Sequence, residues 1–336
     1  MHNPLVSVIM SAFNAEAFIE EAIYSILNQT YKNLELIIVN DGSTDRTADI
    51  IQKFKDSRIV FLQNNENKGN IFSRNLAIAE AKGEFIAILD SDDVALPNRL
   101  ETQVNHFLQH DDMDLLGGGM ISFGLGDEKT ITFPTDYSYI QAFLLFKNCI
   151  AQPTIMFRLE SLKKYYPLYQ NHIYGPEDYE TWFRLSKQKI RFANLKIPLI
   201  KYRLSTDQIS ERNKAKLQER QRQLFVERIQ TLGINLRKTD VEIIHRFIES
   251  RIEINDADFK LIKHFLDHAY MANRKLKIYK QTYFKAVLYF FYLRLGKYYF
   301  LQYKKKPLQF LNYFAAVVYM QGLKSFYIFN RNEKIF

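Results

Sequence analysis

Phe85-Ile86-Ala87-Ile88-Leu89-Asp90-Ser91-Asp92-Asp93 is an apolar run that ends abruptly in three carboxylates. The apolar part reads as a strand, and a strand of that length delivers Asp90, Asp92 and Asp93 to a single point. Carboxylates so close raise one another's pKa unless a cation or hydrogen-bond donors neutralise them. Hard oxygen ligands suit Mg²⁺ or Mn²⁺, ions that usually share their shell with phosphate oxygens. The competing reading is an acidic turn that caps the helix expected from about Pro97. What lies around the strand decides between the two.

Outward from that strand, the N-terminal third repeats one unit, an apolar strand followed by a polar turn and a helix. Leu5 to Met10 is the first strand, and the helix after it has Asn14 as N-cap and Ala17, Ala22, Ile23, Ile26 and Leu27 spaced for one buried face. Leu34 to Val39 is the second. It runs into Asn40-Asp41-Gly42-Ser43-Thr44-Asp45, where the glycine permits a tight turn and Ser43 or Thr44 caps a helix carrying Ala48, Ile51 and Phe54. Ile59 to Leu62 is the third, followed by Asn67-Lys68-Gly69-Asn70 and a helix holding Arg74 and Asn75. Ser11, Asp41 and Asp90 are therefore expected on one edge of a parallel sheet, where α/β sheets bind small molecules. No Gly-x-Gly-x-x-Gly follows the first strand and no Gly-x-x-x-x-Gly-Lys-Ser/Thr occurs, which argues against dinucleotide and P-loop chemistry.

Four ordered motifs, Val6-Ser7-Val8-Ile9-Met10-Ser11-Ala12-Phe13-Asn14, Val39-Asn40-Asp41-Gly42-Ser43-Thr44-Asp45, Arg74-Asn75 and Leu89-Asp90-Ser91-Asp92-Asp93, resemble those of family 2 glycosyltransferases of the bacterial surface-polysaccharide type. The resemblance covers roughly residues 5 to 210. It implies an α/β GT-A fold, a Rossmann-like, mostly parallel sheet flanked by helices. It also implies a nucleotide-sugar donor, expected here to be a UDP-sugar, a divalent metal (Mn²⁺ or Mg²⁺), and inversion at the anomeric carbon. By position in the motifs, Ser11, Ala12, Asn14 and Ser91 are expected at the nucleotide-sugar, Asp41 on the nucleobase, Arg74 near the nucleotide and Asp90 at the ribose, while Asp92 holds metal and diphosphate.

Glycosyl transfer expels a nucleoside diphosphate, and a carboxylate-held metal stabilises the charge that grows as the sugar–oxygen bond breaks. The acceptor hydroxyl must also lose a proton, for which a carboxylate on the opposite face of the sugar is the usual inverting solution. The candidate lies in Tyr174-Gly175-Pro176-Glu177-Asp178-Tyr179-Glu180-Thr181-Trp182, where Pro176 can open a helix. The segment resembles the family's Glu-Asp motif, which puts Asp178 in the base position and Glu177 in an accessory role. Read without the upstream motifs, the same acids would only complement a helix dipole. The chain departs from the family pattern twice: Tyr202-Arg203-Leu204-Ser205 has Ser205, and Cys149-Ile150-Ala151-Gln152-Pro153-Thr154 has Gln152, where histidine is common. Neither touches Asp92 or Asp178, and Arg203 is expected to reach a phosphate.

A sugar nucleotidyltransferase shares the metal and nucleotide requirements, but it normally carries a glycine-rich basic loop after its first strand, and Ala12-Phe13-Asn14-Ala15 is neither. A catalytically silent scaffold that binds nucleotide-sugar or membrane is the third possibility. The 336 residues allow a catalytic domain over 1–206, with a nucleotide-sugar half (1–96) and an acceptor half (97–206), plus a helical region over 207–336. In the acceptor half, Leu100 to Leu108 reads as a helix and Leu115 to Phe123 as a strand in which Gly117-Gly118-Gly119 admits close approach of substrate or backbone. The single Cys149 forms no internal disulfide, no secretory signal is visible, and the scattered histidines make no metal-ligand spacing, so a cytoplasmic protein is expected.

Charge is the second informative feature. Residues 270–336 hold 13 Lys and Arg against one acid, Glu333, while the preceding 269 residues hold 33 basic and 36 acidic side chains, so the net +9 comes from the tail. Tyr289-Phe290-Phe291-Tyr292, Tyr298-Tyr299-Phe300 and Tyr313-Phe314 lie among those cations, a mixture that suits the headgroup layer of an anionic membrane. The longest uncharged stretch, Pro307 to Gly322, is short for a span and interrupted by Gln309, Asn312 and Gln321. Peripheral attachment to the cytoplasmic face of the inner membrane is therefore expected, with a glycan or lipid-linked oligosaccharide as acceptor. The alternative is that the aromatics form the core of a helical subdomain or a face joining two protomers. Nucleic acid is set aside as a partner, since no nucleic-acid motif accompanies the charge.

Overall fold

The computed structural model describes residues 3–170, 176–205, 214–249 and 253–302. The chain folds as two compact units, one built from residues 1–133 and 150–212 and the other from 134–149 and 213–336.

The first unit is a sheet with helices packed on it. Its strands are β1 (Val6–Ala12), β2 (Leu34–Asn40), β3 (Ile59–Gln63), β4 (Phe85–Ile88), β5 (Val94–Ala95), β6 (Leu115–Phe123), β7 (Lys129–Ile131), β8 (Met156–Arg158) and β9 (Phe192–Arg203). They run in the spatial order β3-β2-β1-β4-β8-β6-β9-β5, with β7 on β6. The β3-β2-β1-β4 half is parallel, as the repeated strand-then-helix units require. Beyond β4 the sheet is mixed: β8 is antiparallel to both β4 and β6, whereas β6 and β9 are parallel.

Helices α1 (Ile19–Leu27), α2 (Thr47–Lys53), α3 (Asn70–Ala79) and α4 (Arg99–Gln109) follow β1, β2, β3 and β5. In α1, Ile19, Ala22, Ile23, Ile26 and Leu27 form the buried stripe that their spacing predicts, and they pack with Val8, Met10, Leu36 and Ile38 of the sheet. Ala17 lies outside the helix and is exposed. The expected caps differ as well. Phe18 precedes α1 and Arg46 precedes α2, neither bonding a helix N–H through its side chain. Asn14, Ser43 and Thr44 instead tie the two loops together: Ser43 Oγ accepts from Asn14 N at 3.0 Å and Asn14 Oδ1 from Thr44 N at 2.9 Å. These polar side chains serve the sheet edge rather than a helix end.

Gly117-Gly118-Gly119 lies where β6 meets β9 and the pairing slips, Gly118 opposite Leu195 and Gly119 opposite Pro198. A Cβ on Gly119 would stand 2.8 Å from Ile131 O, so the close approach expected of these glycines is to the chain's own backbone.

Among its described residues the second unit is helical. It comprises α5 (Tyr137–Phe143) and four later helices, whereas the short α6 (Leu159–Leu162) and α7 (Glu177–Ser186) belong to the first unit. The later four are α8 (Lys214–Gln230), α9 (Lys238–Glu249), α10 (Asp256–Leu276) and α11 (Gln281–Gln302). Residues 134–149, expected in the acceptor half, sit here because their rings belong to this core: Phe146 lies 5.0 Å from Phe291 and 6.0 Å from Phe284, and Phe143 lies 5.8 Å from Phe291. Tyr289, Phe291 and Tyr292, expected at a membrane interface, are buried in α11, as the helical-subdomain alternative requires. Phe300, Tyr313, Phe314 and the Pro307–Gly322 stretch lie outside the residues whose side chains are described. Among the described residues, no helix is long and apolar enough to cross a membrane.

Candidate active site

The C-terminal ends of β1, β2 and β4 carry Ser11, Ala12, Asp41 and Asp90. Asp41 follows β2 and is fixed by its own N–H, which donates to Ala12 O at 2.8 Å. Its buried carboxylate gathers the loop before α3: Oδ1 accepts from Asn64 Nδ2 at 2.7 Å and Lys68 N at 3.0 Å, and Oδ2 from Gly69 N at 2.8 Å. Gly42 makes this possible. Its φ is +71°, and a Cβ there would lie 2.4 Å from the Glu66 carbonyl carbon. Ser11 Oγ bonds Asn70 Oδ1, linking the end of β1 to the start of α3, and Ala12 is buried beside it.

Arg74 joins three distant stretches. It projects from α3, is 4% exposed, and donates from Nη2 to Asp90 Oδ1 at 2.7 Å and from Nη1 to Glu177 Oε1 at 3.2 Å. Its guanidinium also lies 5.8 Å from the centre of the Tyr169 ring. Burial works against its charge, but Asp90 and Glu177 outweigh burial and hold its pKa above the ordinary arginine value. Burial pushes Glu177 up to about 7 despite Arg74, with Asp178 adding to the rise. Glu177 opens α7 directly after Pro176, so Asp178, whose Oδ1 accepts from Tyr179 N at 2.7 Å, is carried on the same first turn. Asp90 and Glu177, read separately from the sequence, are thereby held by the two terminal nitrogens of one guanidinium, with Asp178 next in the chain to Glu177.

Burial and mutual repulsion act on Asp92 and Asp93 in the Asp90–Asp93 turn. Asp92 is pushed up to about 6, first by burial and then by Asp90. Ser91 and Asp92 are half-buried. Asp93 is fully buried, and burial with Asp90 and Asp92 raises it well above the usual carboxylate range. Arg203 braces this turn. Its N–H donates to Asp93 Oδ1 and its Nε to Asp92 O, both at 2.8 Å, and its Nη2 pairs with Glu21. The guanidinium lies over the rings of Phe18 at 4.5 Å and Phe123 at 4.4 Å. These contacts place Arg203 against the Asp90–Asp93 turn and α1.

Sequence reasoning passed over Arg99, which is fully buried behind the same turn. Its Nη2 donates to Ile88 O at 2.7 Å and Ile155 O at 3.2 Å, and burial pushes it down to about 9 although Asp93 and Asp90 oppose the shift. A cation two residues after Pro97, inside an otherwise amphipathic helix start, was the available signal. Gln152, in a family histidine position, is buried and donates to Tyr169 Oη at 2.5 Å. Among the described residues, no group of three or more His, Cys, Asp or Glu is arranged to hold a metal ion.

Residues 7–166 match the family model for glycosyl transferase family 2. An uncharacterized glycosyltransferase of Haemophilus influenzae is 31% identical over 287 residues, 82% of this chain and 88% of the relative. The chain belongs to glycosyl transferase family 2. A second relative of this glycosyltransferase is Escherichia coli WfgD, a UDP-Glc:alpha-D-GlcNAc-diphosphoundecaprenol beta-1,3-glucosyltransferase, 36% identical over 66% of this chain and 85% of that one. The fold is that of solved glycosyltransferases. S. aureus TarS 1-349 in complex with UDP-GlcNAc aligns over 93% of this chain and 90% of its own at 20% identity and a TM-score of 0.54. The Pyrobaculum calidifontis mannosyltransferase PcManGT, with GDP-Man and Mn²⁺, aligns over 97% and 88% at 16% identity and a TM-score of 0.53.

Proposed function

We propose that this glycosyltransferase moves a sugar from a UDP-sugar onto a hydroxyl of a glycan or lipid-linked oligosaccharide in surface-polysaccharide synthesis, with inversion at the anomeric carbon. The observation that carries the reading is Arg74, which holds Asp90 and Glu177 together and so unites a nucleotide-side carboxylate with the helix start that bears Asp178. In this reading Asp178 accepts the acceptor proton, Glu177 positions it through Arg74, and Asp41 and Asp90 hold the nucleoside, with Ser11, Ala12, Asn14 and Ser91 lining its edge. Arg203 braces the Asp90–Asp93 turn and reaches a phosphate of the bound donor.

The donor set suits Mg²⁺ or Mn²⁺: burial and Asp90 raise the pKa of the Asp92 carboxylate by more than Arg203 and Arg74 lower it, and one carboxylate completed by substrate phosphates is a common shell for these ions. A cation held by Asp92 would supply positive charge against the leaving diphosphate. The WfgD similarity supports a lipid diphosphate acceptor, and with it a peripheral place at the membrane.

Product analysis with a panel of UDP-sugars and a diphosphoundecaprenol-linked acceptor tests the reading. Free UDP with an extended acceptor is the expected result. Pyrophosphate would mark a nucleotidyltransferase, and absence of turnover with every donor would mark a binding scaffold.

A further inference from the structure

In the helical unit, every large apolar side chain that is exposed among the described residues falls within eight positions: Met271 at 54%, Leu276 at 47% and Ile278 at 44%. Arg274, Lys275, Lys277 and Lys280 are exposed among them, and no acidic residue occurs between Asp267 and the end of α11. The turn that presents them is firmly built. Asn273 is buried at its base; its Nδ2 donates to Tyr279 O at 3.0 Å and Gln281 Oε1 at 2.9 Å, and its Oδ1 accepts from Tyr279 N at 2.8 Å. Tyr279 is buried and stacked 5.5 Å from Phe284. Lys277 takes the left-handed conformation, φ 55°, that ends α10, and its N–H returns to Asn273 O at 2.7 Å. Residues 274–278 are thus pinned at both ends, so little conformational freedom would be lost on docking.

We infer that the α10–α11 turn, with Leu276, Ile278 and Met271 entering the acyl boundary and Arg274, Lys275, Lys277 and Lys280 meeting lipid phosphates, is the surface by which this protein docks on an anionic membrane. The chemistry selects a bilayer over other partners. The exposed apolar groups are flexible aliphatic side chains that enter an interface, while the lysine and arginine stems extend along it to keep their charges at headgroup depth. Single-stranded nucleic acid is bound on exposed rings, and the ring of this turn, Tyr279, is turned inward. A second copy meeting the same turn across a two-fold axis would set Arg274, Lys275, Lys277 and Lys280 against the same four cations. The inference deepens the membrane part of the proposed function and moves it from the aromatic run of α11, which is internal, to a defined turn; it does not depend on the transfer chemistry.

The test is sedimentation of the full chain with vesicles of phosphatidylcholine and phosphatidylglycerol, and with phosphatidylcholine alone. The wild-type chain should pellet with the anionic vesicles only, and added salt should release it. Leu276→Ser/Ile278→Ser and Lys275→Glu/Lys277→Glu should each lower the vesicle-bound fraction about tenfold, with unchanged circular dichroism and unchanged UDP release. The two double variants remove different halves of the patch, so a folding defect in one leaves the other decisive. Wild-type binding by a folded variant, no binding by the wild type, or a change in self-association without a change in lipid binding would each overturn the inference. Intact vesicle binding by a chain that releases no UDP would instead remove the transferase reading and leave this one standing.

Discussion

Arg74 gives the site its logic at the scale of single residues. Nearly excluded from solvent, it satisfies its charge with two carboxylates that lie 16 and 103 residues away in sequence, so the position of each acid depends on the other. Two consequences are measurable. Asp178→Asn should keep UDP-sugar binding near the wild-type level and lower turnover by about 10²–10⁴, the usual contribution of a positioned general base. Asp92→Ala should instead weaken donor binding and remove its dependence on Mn²⁺, as titration calorimetry with and without the ion would show. Near-native turnover by Asp178→Asn would reject the base assignment. Glu177 makes a prediction of opposite kind, about stability. Its pKa is about 7 in the folded chain against an ordinary 4.5. Below 4.5 it is protonated in both states, between the two values the unfolded chain loses its proton first, and above 7 both are ionised, so the folded state is progressively disfavoured as pH rises through this window. The full effect is on the order of 3 kcal/mol. Urea midpoints of the nucleotide-free chain should fall from pH 5 to pH 8, and Glu177→Gln should make that slope shallower while Asp92 and Asp93, also raised, keep part of it; an unchanged slope in the variant would show that Glu177 does not contribute to it.

At the scale of elements, the strands were legible and their connections less so. Mostly apolar runs place β1 to β4, broken by Ser7 and Glu35, since strands buried on both faces, as β1, β2 and β4 are, need little but apolar residues, and the carboxylates Asp41 and Asp90 that follow β2 and β4 could be read directly. Asn14, Ser43 and Thr44 show where that reading stops. Their side chains can cap a helix or cross-link loops with equal chemistry, and only the proximity of the β1 and β2 ends selects the second. Arg203 adds contacts that the sequence does not announce, to Asp92 O and Glu21, because they join stretches 111 and 182 residues apart. The loop around Asp41 is where element geometry becomes testable. Gly42→Ala would place a methyl carbon against the Glu66 backbone at a φ that alanine resists, pushing the 66–69 segment off the Asp41 carboxylate. A loss of about 1–3 kcal/mol in stability is expected. Weaker UDP binding should accompany it. Wild-type affinity in a destabilised variant would separate the loop from the nucleotide.

For the molecule as a whole, sequence composition marks two regions, an acid-rich sheet unit and a cationic aromatic helical region, but not what the aromatics do. In α11, tyrosines and phenylalanines recur without a polar face, a pattern that a membrane interface and a fully enclosed helix share. What resolves it is the 134–149 segment, which leaves the sheet unit in sequence only to supply Phe143 and Phe146 to the helical core. No periodicity announces that excursion, because its seven-residue helix reads equally well as part of the acceptor half. Phe291 is the ring to test. It is fully buried and faces Phe143, Phe146 and Phe247 at 5.8, 5.0 and 6.3 Å. If α11 is core, Phe291→Ala should destabilise the chain by about 3–5 kcal/mol, lowering its denaturation midpoint in detergent-free buffer. If the helix instead offered its rings to lipid, the same truncation would leave that midpoint unchanged and lower vesicle binding. The two outcomes are exclusive because the ring's apolar surface can be removed from water only once, by its neighbours in the helical unit or by a bilayer.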